Sequence, residues 1–385
     1  MKRRIAVIGS GLHFISGVSY FTVLLVEHLA EQAEVSVVLM RRLVPKILYP
    51  GASRVGKAIT PLSTSDFAPT YDGIDWTMVP SIPLALRFLN RQRPEVLLLQ
   101  WWTASSLPAF HVFTWWAKRH GLPVILEMHE DLHEAEAKVP VLGALARRFL
   151  HRLVVRADRI VAHSTYDRDR ISRIHGLDPV NIAIIPVGPF RLSHEPSPAS
   201  DAPIEESEST STTVLFFGTV RPYKGLEHLI EAFDHLPRDT DRRWQLLVVG
   251  ERWEGWDLPF DLIAASPNAA DIEVVDRYVT DEEVPSFFAR ADVVALPYLV
   301  SSASGPLALT MNLGLPVVVT RVGGLEEAAE RYGGAVFCEP NDPLGLALSL
   351  EEAAKLRGKR FDSPHDWGIN VRAYLELVDS LADTP

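Results

Sequence analysis

The chain has 385 residues, 47% of them hydrophobic and 23% charged, with a single cysteine, Cys338. One cysteine excludes a disulfide framework and a cysteine-built zinc site within the chain, and it suits a reducing compartment; the length and apolar content suffice for two domains with separate cores. The net charge of −11 argues against general nucleic-acid binding, but it is unevenly held: residues 1–190 carry 22 Lys and Arg against 16 Asp and Glu, net +6, which leaves −17 for the remainder.

The start, MKRRIAVIGSG, runs from a basic end directly into a strand and a glycine turn. No apolar run reaches the ~20 residues of a membrane span, so a mature cytoplasmic protein is expected. The strand at 3–11, the helix GVSYFTVLLVEHLAEQ and the strand EVSVVLM make a β-α-β unit. GSG begins like a dinucleotide fingerprint, but Phe14 stands where the third glycine belongs. An NAD site is therefore not expected, and the glycines read as a loop that lets a substrate approach the backbone. The stretch at 41–67, with Arg41, Arg42, Lys46, Arg54 and Lys57 among Pro and Gly, reads as a long surface loop. EVLLLQW and PVILEM are the next strands, separated by the helical FHVFTWWAKRHG.

After PVILEM comes His129-Glu130-Asp131-Leu132-His133, formally HExxH. A zinc site of that kind needs both histidines one turn apart on a helix, with a third ligand downstream. Here the first histidine stands at the end of an apolar strand, so a site histidine at a strand tip is the preferred reading. Residues 141–160 form a basic amphipathic helix with Arg147, Arg148, His151, Arg152 and Arg156 near its polar side, which raises contact with an anionic membrane. Residues 191–213, rich in Ser, Pro, Thr and acids, read as linker.

VLFFGTVRPYKG (214–225) is a buried strand, a glycine turn, a basic loop and the start of a helix at Gly225. Backbone N–H groups and a helix N-terminus at the carboxyl end of a strand favour an anion, and Arg221 and Lys224 add two cations suited to a phosphate or diphosphate. Strands and helices then alternate through WQLLVVG, IEVVDRYV and DVVALPY to a second glycine-containing turn, SSASGP (301–306), and on to LPVVVT, RVGGLEE and a terminal helix, DWGINVRAYLELVDSLA.

In this order the motifs resemble the family 4 glycosyltransferases of the GT-B fold, over nearly the whole chain. In that family a glycine loop opens the amino domain, matched by the loop to Gly17, and a histidine follows at a strand tip, matched by His129. A G-R-x-x-x-x-K-G phosphate loop opens the carboxyl domain, matched by Gly218, Lys224 and Gly225, with Thr219 in place of the usual Arg and Arg221 as its candidate substitute. Leu296-Pro297-Tyr298, the G-x-P-V-V at 314–318 and the V-G-G-x-x-E at 322–327 are in register. The departure is the family's spaced glutamate pair, where this chain has Ser301 and Leu309.

The resemblance implies an α/β GT-B protein, two doubly wound Rossmann-like domains facing a central cleft. Residues 1–190 would be the acceptor domain, with a C-terminal helix at about 366–385 packing back on it; 191–213 the linker; and 214–365 the nucleotide-sugar domain. It further implies metal-independent, retaining transfer from a nucleotide diphosphate sugar, with no cofactor. The site would comprise His129, Arg221 and Lys224 as catalytic residues and Gly17, Gly218, Ser304, Gly305, Pro306 and Glu327 at the donor. Apart from the resemblance, the +6 against −17 split of charge leads to the expectation of a lipid-linked or anionic acceptor and of a protein peripheral at the inner face of the membrane. Two rivals remain, a sugar-nucleotide-binding protein without turnover and a zinc peptidase built on HEDLH.

Overall fold

Residues 5–8 and 96–99 are apolar without alternation, the pattern of strands covered on both faces, and such strands build two all-parallel sheets. The computed structural model describes residues 2–11, 17–42, 63–129, 140–191, 211–238, 243–253 and 255–382. Phe14, residues 130–133 of HEDLH, Lys46, Arg54, Lys57 and most of the expected linker lie outside the described residues. The chain divides into two units, 1–188 with 365–385, and 189–364.

The first unit runs β1 (Arg4–Ser10), α1 (Gly17–Gln32), β2 (Glu34–Arg42), β3 (Thr70–Asp75), α2 (Ser81–Gln92), β4 (Val96–Trp101), α3 (Leu107–Arg119), β5 (Val124–Met128), α4 (Pro140–Val154), β6 (Arg159–Ala162), α5 (Thr165–His175) and β7 (Ile182–Ile184). Its strand order is β3-β2-β1-β4-β5-β6-β7. Ile5 stands opposite Val35 on one side and Val96 on the other. The order reverses between β1 and β4, and it is at such a switch point that an open α/β sheet binds its ligand.

The second unit runs β8 (Ser211–Phe217), α6 (Leu226–His235), β9 (Arg243–Val249), α7 (Leu258–Ala265), β10 (Ile272–Val275), α8 (Val284–Ala289), β11 (Val293–Leu296), α9 (Gly305–Asn312), β12 (Val317–Thr320), α10 (Gly323–Ala329), β13 (Ala335–Cys338) and α11 (Pro343–Ala354). Its order, β10-β9-β8-β11-β12-β13, repeats the pattern with the switch between β8 and β11. β8 starts at Ser211, inside the stretch expected to be linker, because Ser211, Thr212 and Thr213 pair with Arg243, Trp244 and Gln245.

The last helix, α12 (Trp367–Ala382), belongs to the first unit. Trp367 packs against Phe21 of α1 with ring centroids 5.5 Å apart. A Cβ at Gly188 would sit 2.4 Å from the Trp367 ring, so only glycine lets the chain pass there. Asn370 Nδ2 donates to the Pro186 carbonyl at 2.7 Å.

Candidate active site

In the second unit the two loops that leave the switch point are tied together. The Leu299 N–H donates to the Tyr223 carbonyl at 2.7 Å. Gly225, at φ +63, is the left-handed residue between the short 3₁₀ turn Pro222–Lys224 and α6, and a Cβ there would meet the Pro297 carbonyl oxygen at 2.1 Å. The helix expected to open at Gly225 thus begins one residue later, with Gly225 as its cap.

Lys224 is buried beneath this crossing, with its Nζ 5.4 Å from the centroid of the Tyr298 ring. Gly218, at φ +110, makes room for it: a Cβ at 218 would lie 2.6 Å from Lys224 Nζ. The Arg221 guanidinium stacks 4.0 Å above the Trp253 ring, a contact that fixes its direction without neutralising it. Neither cation is ion-paired with any described residue. Burial, and then the charge of Arg221, push the Lys224 ammonium down to about 7. Two uncompensated cations at the carboxyl end of β8, a switch-point strand, suit an anion.

The second turn contributes less than its sequence suggests. Ser304 caps α9 by accepting the Leu307 N–H at 3.2 Å, Pro306 has no N–H, and the Ala308 N–H goes to the Ser304 carbonyl. Of the first-turn amides, the Gly305 N–H is the one without a partner among the described residues. A Cβ at 305 would approach Phe190 to 3.0 Å. Glu327 is exposed on α10. Leu309, where the family resemblance expects a glutamate, is buried in the apolar core with Leu307, Met311 and Tyr298. Ser301 is buried, and its hydroxyl donates to the Ala303 carbonyl at 3.2 Å. Neither position offers a carboxylate, and at 309 the fold itself is built around an apolar side chain.

His129 follows β5 directly in the first unit, its N–H held by the Trp101 carbonyl at 3.0 Å. Its Nδ1 lies 3.0 Å from His163 Nε2, and His163 Nδ1 lies 2.9 Å from the Ile185 carbonyl. A carbonyl only accepts, so a neutral His163 carries its proton on Nδ1, its Nε2 accepts, and His129 Nδ1 is the donor. His129 Nε2 is then left over, buried and without a hydrogen-bond partner, 3.6 Å from Glu127 Oε2. Glu127 is fully buried, accepts from Gln100 Nε2 at 3.1 Å and is bonded by the Tyr374 hydroxyl of α12. Burial alone would raise the Glu127 carboxyl, but the facing His129 and His163, with the Tyr374 hydroxyl, bring it below the ordinary value. His163 is pushed down by burial and then by His129.

Glu127, His129 and His163 are the one group of metal-type donors within reach of one another among the described residues. Their facing atoms are largely taken by one another, Gln100 and Tyr374, the geometry of a hydrogen-bonded chain. Gly17 opens α1 with nothing within 4 Å of where its Cβ would be. By contrast, Cβ atoms at Gly9 and Gly11 would meet Gln100 Oε1 at 2.3 Å and the Met40 carbonyl at 2.7 Å. The GSG glycines therefore answer to packing inside the sheet. Four residues of these networks escaped the sequence reading. A glutamate in the otherwise apolar PVILEM was the available signal for Glu127; Trp253, His163 and Tyr374 had none.

Two doubly wound units, one with a basic loop at its switch point and the other with a histidine at a strand tip, fit the GT-B glycosyltransferases. Residues 16–188 match the family described as "Glycosyl transferase 4-like domain" and residues 200–374 that of "Glycosyl transferases group 1". The chain belongs to the family 4-like glycosyltransferases. Among its relatives is a D-inositol 3-phosphate glycosyltransferase of Kineococcus radiotolerans, 29% identical over 68% of this chain and 67% of that protein. Another is O-antigen chain mannosyltransferase B of Escherichia coli, 27% identical over 52% of each, so this match spans about half of that relative's length. The fold is similar to sucrose-phosphate synthase of Thermosynechococcus elongatus (TM-score 0.70, 15% identity, 100% of both chains). It is also similar to Anabaena Alr3699/HepE, solved in complex with UDP (TM-score 0.64, 15% identity, 98% of this chain and all of that one).

Proposed function

We propose that the protein transfers a sugar from a nucleotide diphosphate sugar to an acceptor, with retention of configuration and without a metal ion. The observation that carries this reading is the pair of uncompensated cations, Arg221 and the buried Lys224, at the β8 end of the switch point. Charge that develops on a departing diphosphate is stabilised by donors already in place, so these two side chains and the Gly305 N–H supply what a metal would otherwise supply. UDP in the similar Anabaena structure and the transferase names of the relatives support the donor class. His129 is assigned to the donor sugar: with Nδ1 committed to His163, Nε2 is the buried polar atom still lacking a partner, and a sugar hydroxyl would provide one. The acceptor is assigned as lipid-linked or anionic, in keeping with the +6 charge of residues 1–190. Release of sugar over a panel of nucleotide sugars tests the proposal; a protein that binds several and turns over none is a sugar-nucleotide-binding protein instead.

Lys224 also sets a pH dependence. Its ammonium sits at about 7 in the free protein, and a bound diphosphate opposes both causes of that depression, so the bound value is higher. Between the two values binding takes up a proton, and affinity must fall as pH rises. Calorimetric titration with UDP from about pH 7 to about pH 9 should show Kd rising by up to about tenfold per unit. Lys224→Met should flatten the profile.

A further inference from the structure

The outer face of α3 and α4 has a composition that internal packing does not require. α4 turns Leu150, Leu153 and Val154 into the core. Its opposite stripe, Leu145, Arg148, Phe149 and Arg152 at helical spacing, faces solvent. Phe149 lies edge-on to His111 of α3 at 5.7 Å, and His111 Nε2 meets the Phe149 carbonyl at 3.1 Å, so the exposed faces of the two helices adjoin. One turn along α3 from His111 is Trp115, 61% exposed. Leu145 and Val155 are each 49% exposed.

The charge is equally one-sided. No Asp or Glu occurs in residues 107–119 or 140–157. Arg119, Arg147, Arg148, Arg152 and Arg156 form no ion pair with any described residue. In the second unit Arg252, Arg277, Arg290 and Arg321 each pair with a carboxylate. Arg41 and Arg42 are likewise held by Asp75 and stand apart from this group.

We propose that this face docks the protein on the surface of an anionic phospholipid bilayer. A protein-binding patch gathers its apolar residues at the centre and its charges at the rim, whereas here arginine and apolar residues alternate along one stripe. Arg152 lies 5.7 Å from the Phe149 ring. That interleaving suits a headgroup boundary, where Trp, Phe and Leu enter the acyl edge while guanidinium groups extend to the phosphates. No described helix is long and apolar enough to cross a membrane, so the contact is peripheral. The inference deepens the acceptor assignment above, on which it rests only in naming why the face is there.

Sedimentation of the full chain with phosphatidylcholine vesicles, with and without phosphatidylglycerol, at low and high salt, tests it. Binding is expected to the mixed vesicles alone and to fade with salt. Arg148→Gln with Arg152→Gln should weaken the partition about 25-fold, from ~1 kcal/mol per basic residue. Trp115→Ala with Phe149→Ala should weaken it about tenfold or more, and quenching of tryptophan fluorescence by brominated lipid should diminish in Trp115→Phe. Both double variants should bind UDP as the parent does, which separates docking from the transferase reading. No binding to mixed vesicles at low salt, unchanged binding by both double variants, or binding to a soluble polyanion but not to vesicles would each overturn the proposal.

Discussion

Replacing Lys224 with alanine is expected to lower the rate of sugar transfer by about 10²- to 10³-fold, the cost of removing one preorganised donor from developing charge. UDP binding should weaken by about 1.5–3 kcal/mol, the range of a charge-assisted hydrogen bond. Arg221→Ala should act in the same direction. What separates this result from simple unfolding is the sign of the stability change. Lys224 is a buried cation with no ion pair among the described residues, and such a group burdens the empty protein. Lys224→Ala should therefore unfold at the same temperature or higher while binding less nucleotide. Calorimetric titration with UDP, GDP, ADP and TDP, alongside thermal unfolding, checks both. If the Lys224→Ala, Arg221→Ala double variant binds all four as the parent does, the loop is structural and the site assignment falls.

How far this site could be read in advance depended on where its parts lie in the chain. β1 and β4 were legible because strands covered on both faces are continuous apolar runs, and the phosphate loop because its glycines and cations fall within eight residues, 218–225. β3 and α2 were not found. TYDGID pairs on one side only and carries two aspartates and a glycine, so neither alternation nor β-propensity marks it. Trp253, which aims Arg221, comes from the segment after β9 and is brought in by the parallel bridge of Val220 with Arg252. No local pattern encodes that bridge. The loss at 309 was visible as a letter, but only the packing of Leu309 in the core shows that the helix has been refitted around an apolar residue. Restoring a glutamate there would bury a charge.

The Glu127 network was the least legible part, since Glu127 and Tyr374 are 247 positions apart, and it shapes what mutation of His129 should do. His129→Ala is expected to reduce transfer or donor hydrolysis by about 10²-fold or more, yet to leave UDP affinity unchanged, because the diphosphate is assigned to the loop after β8. His133→Ala should be mild and a chelator without effect. Glu127→Gln should destabilise the fold by about 1–3 kcal/mol, because it disturbs a buried acceptor bonded by Gln100 and Tyr374. Acid should reveal the same network. The folded values of His163 and Glu127 are both depressed below the ordinary 6.5 and 4.5, so the unfolded chain binds more protons than the native one below each. Stability is then fully present above about pH 6.5 and is lost in two stages as pH falls, first through His163 and then through Glu127. Thermal unfolding from neutral to acid pH should show both stages in the parent, and His163→Asn should lack the first. Stoichiometric zinc in the purified protein, with equal losses from His129→Ala and His133→Ala, would instead return HEDLH to the peptidase reading and remove His129 from the transferase site.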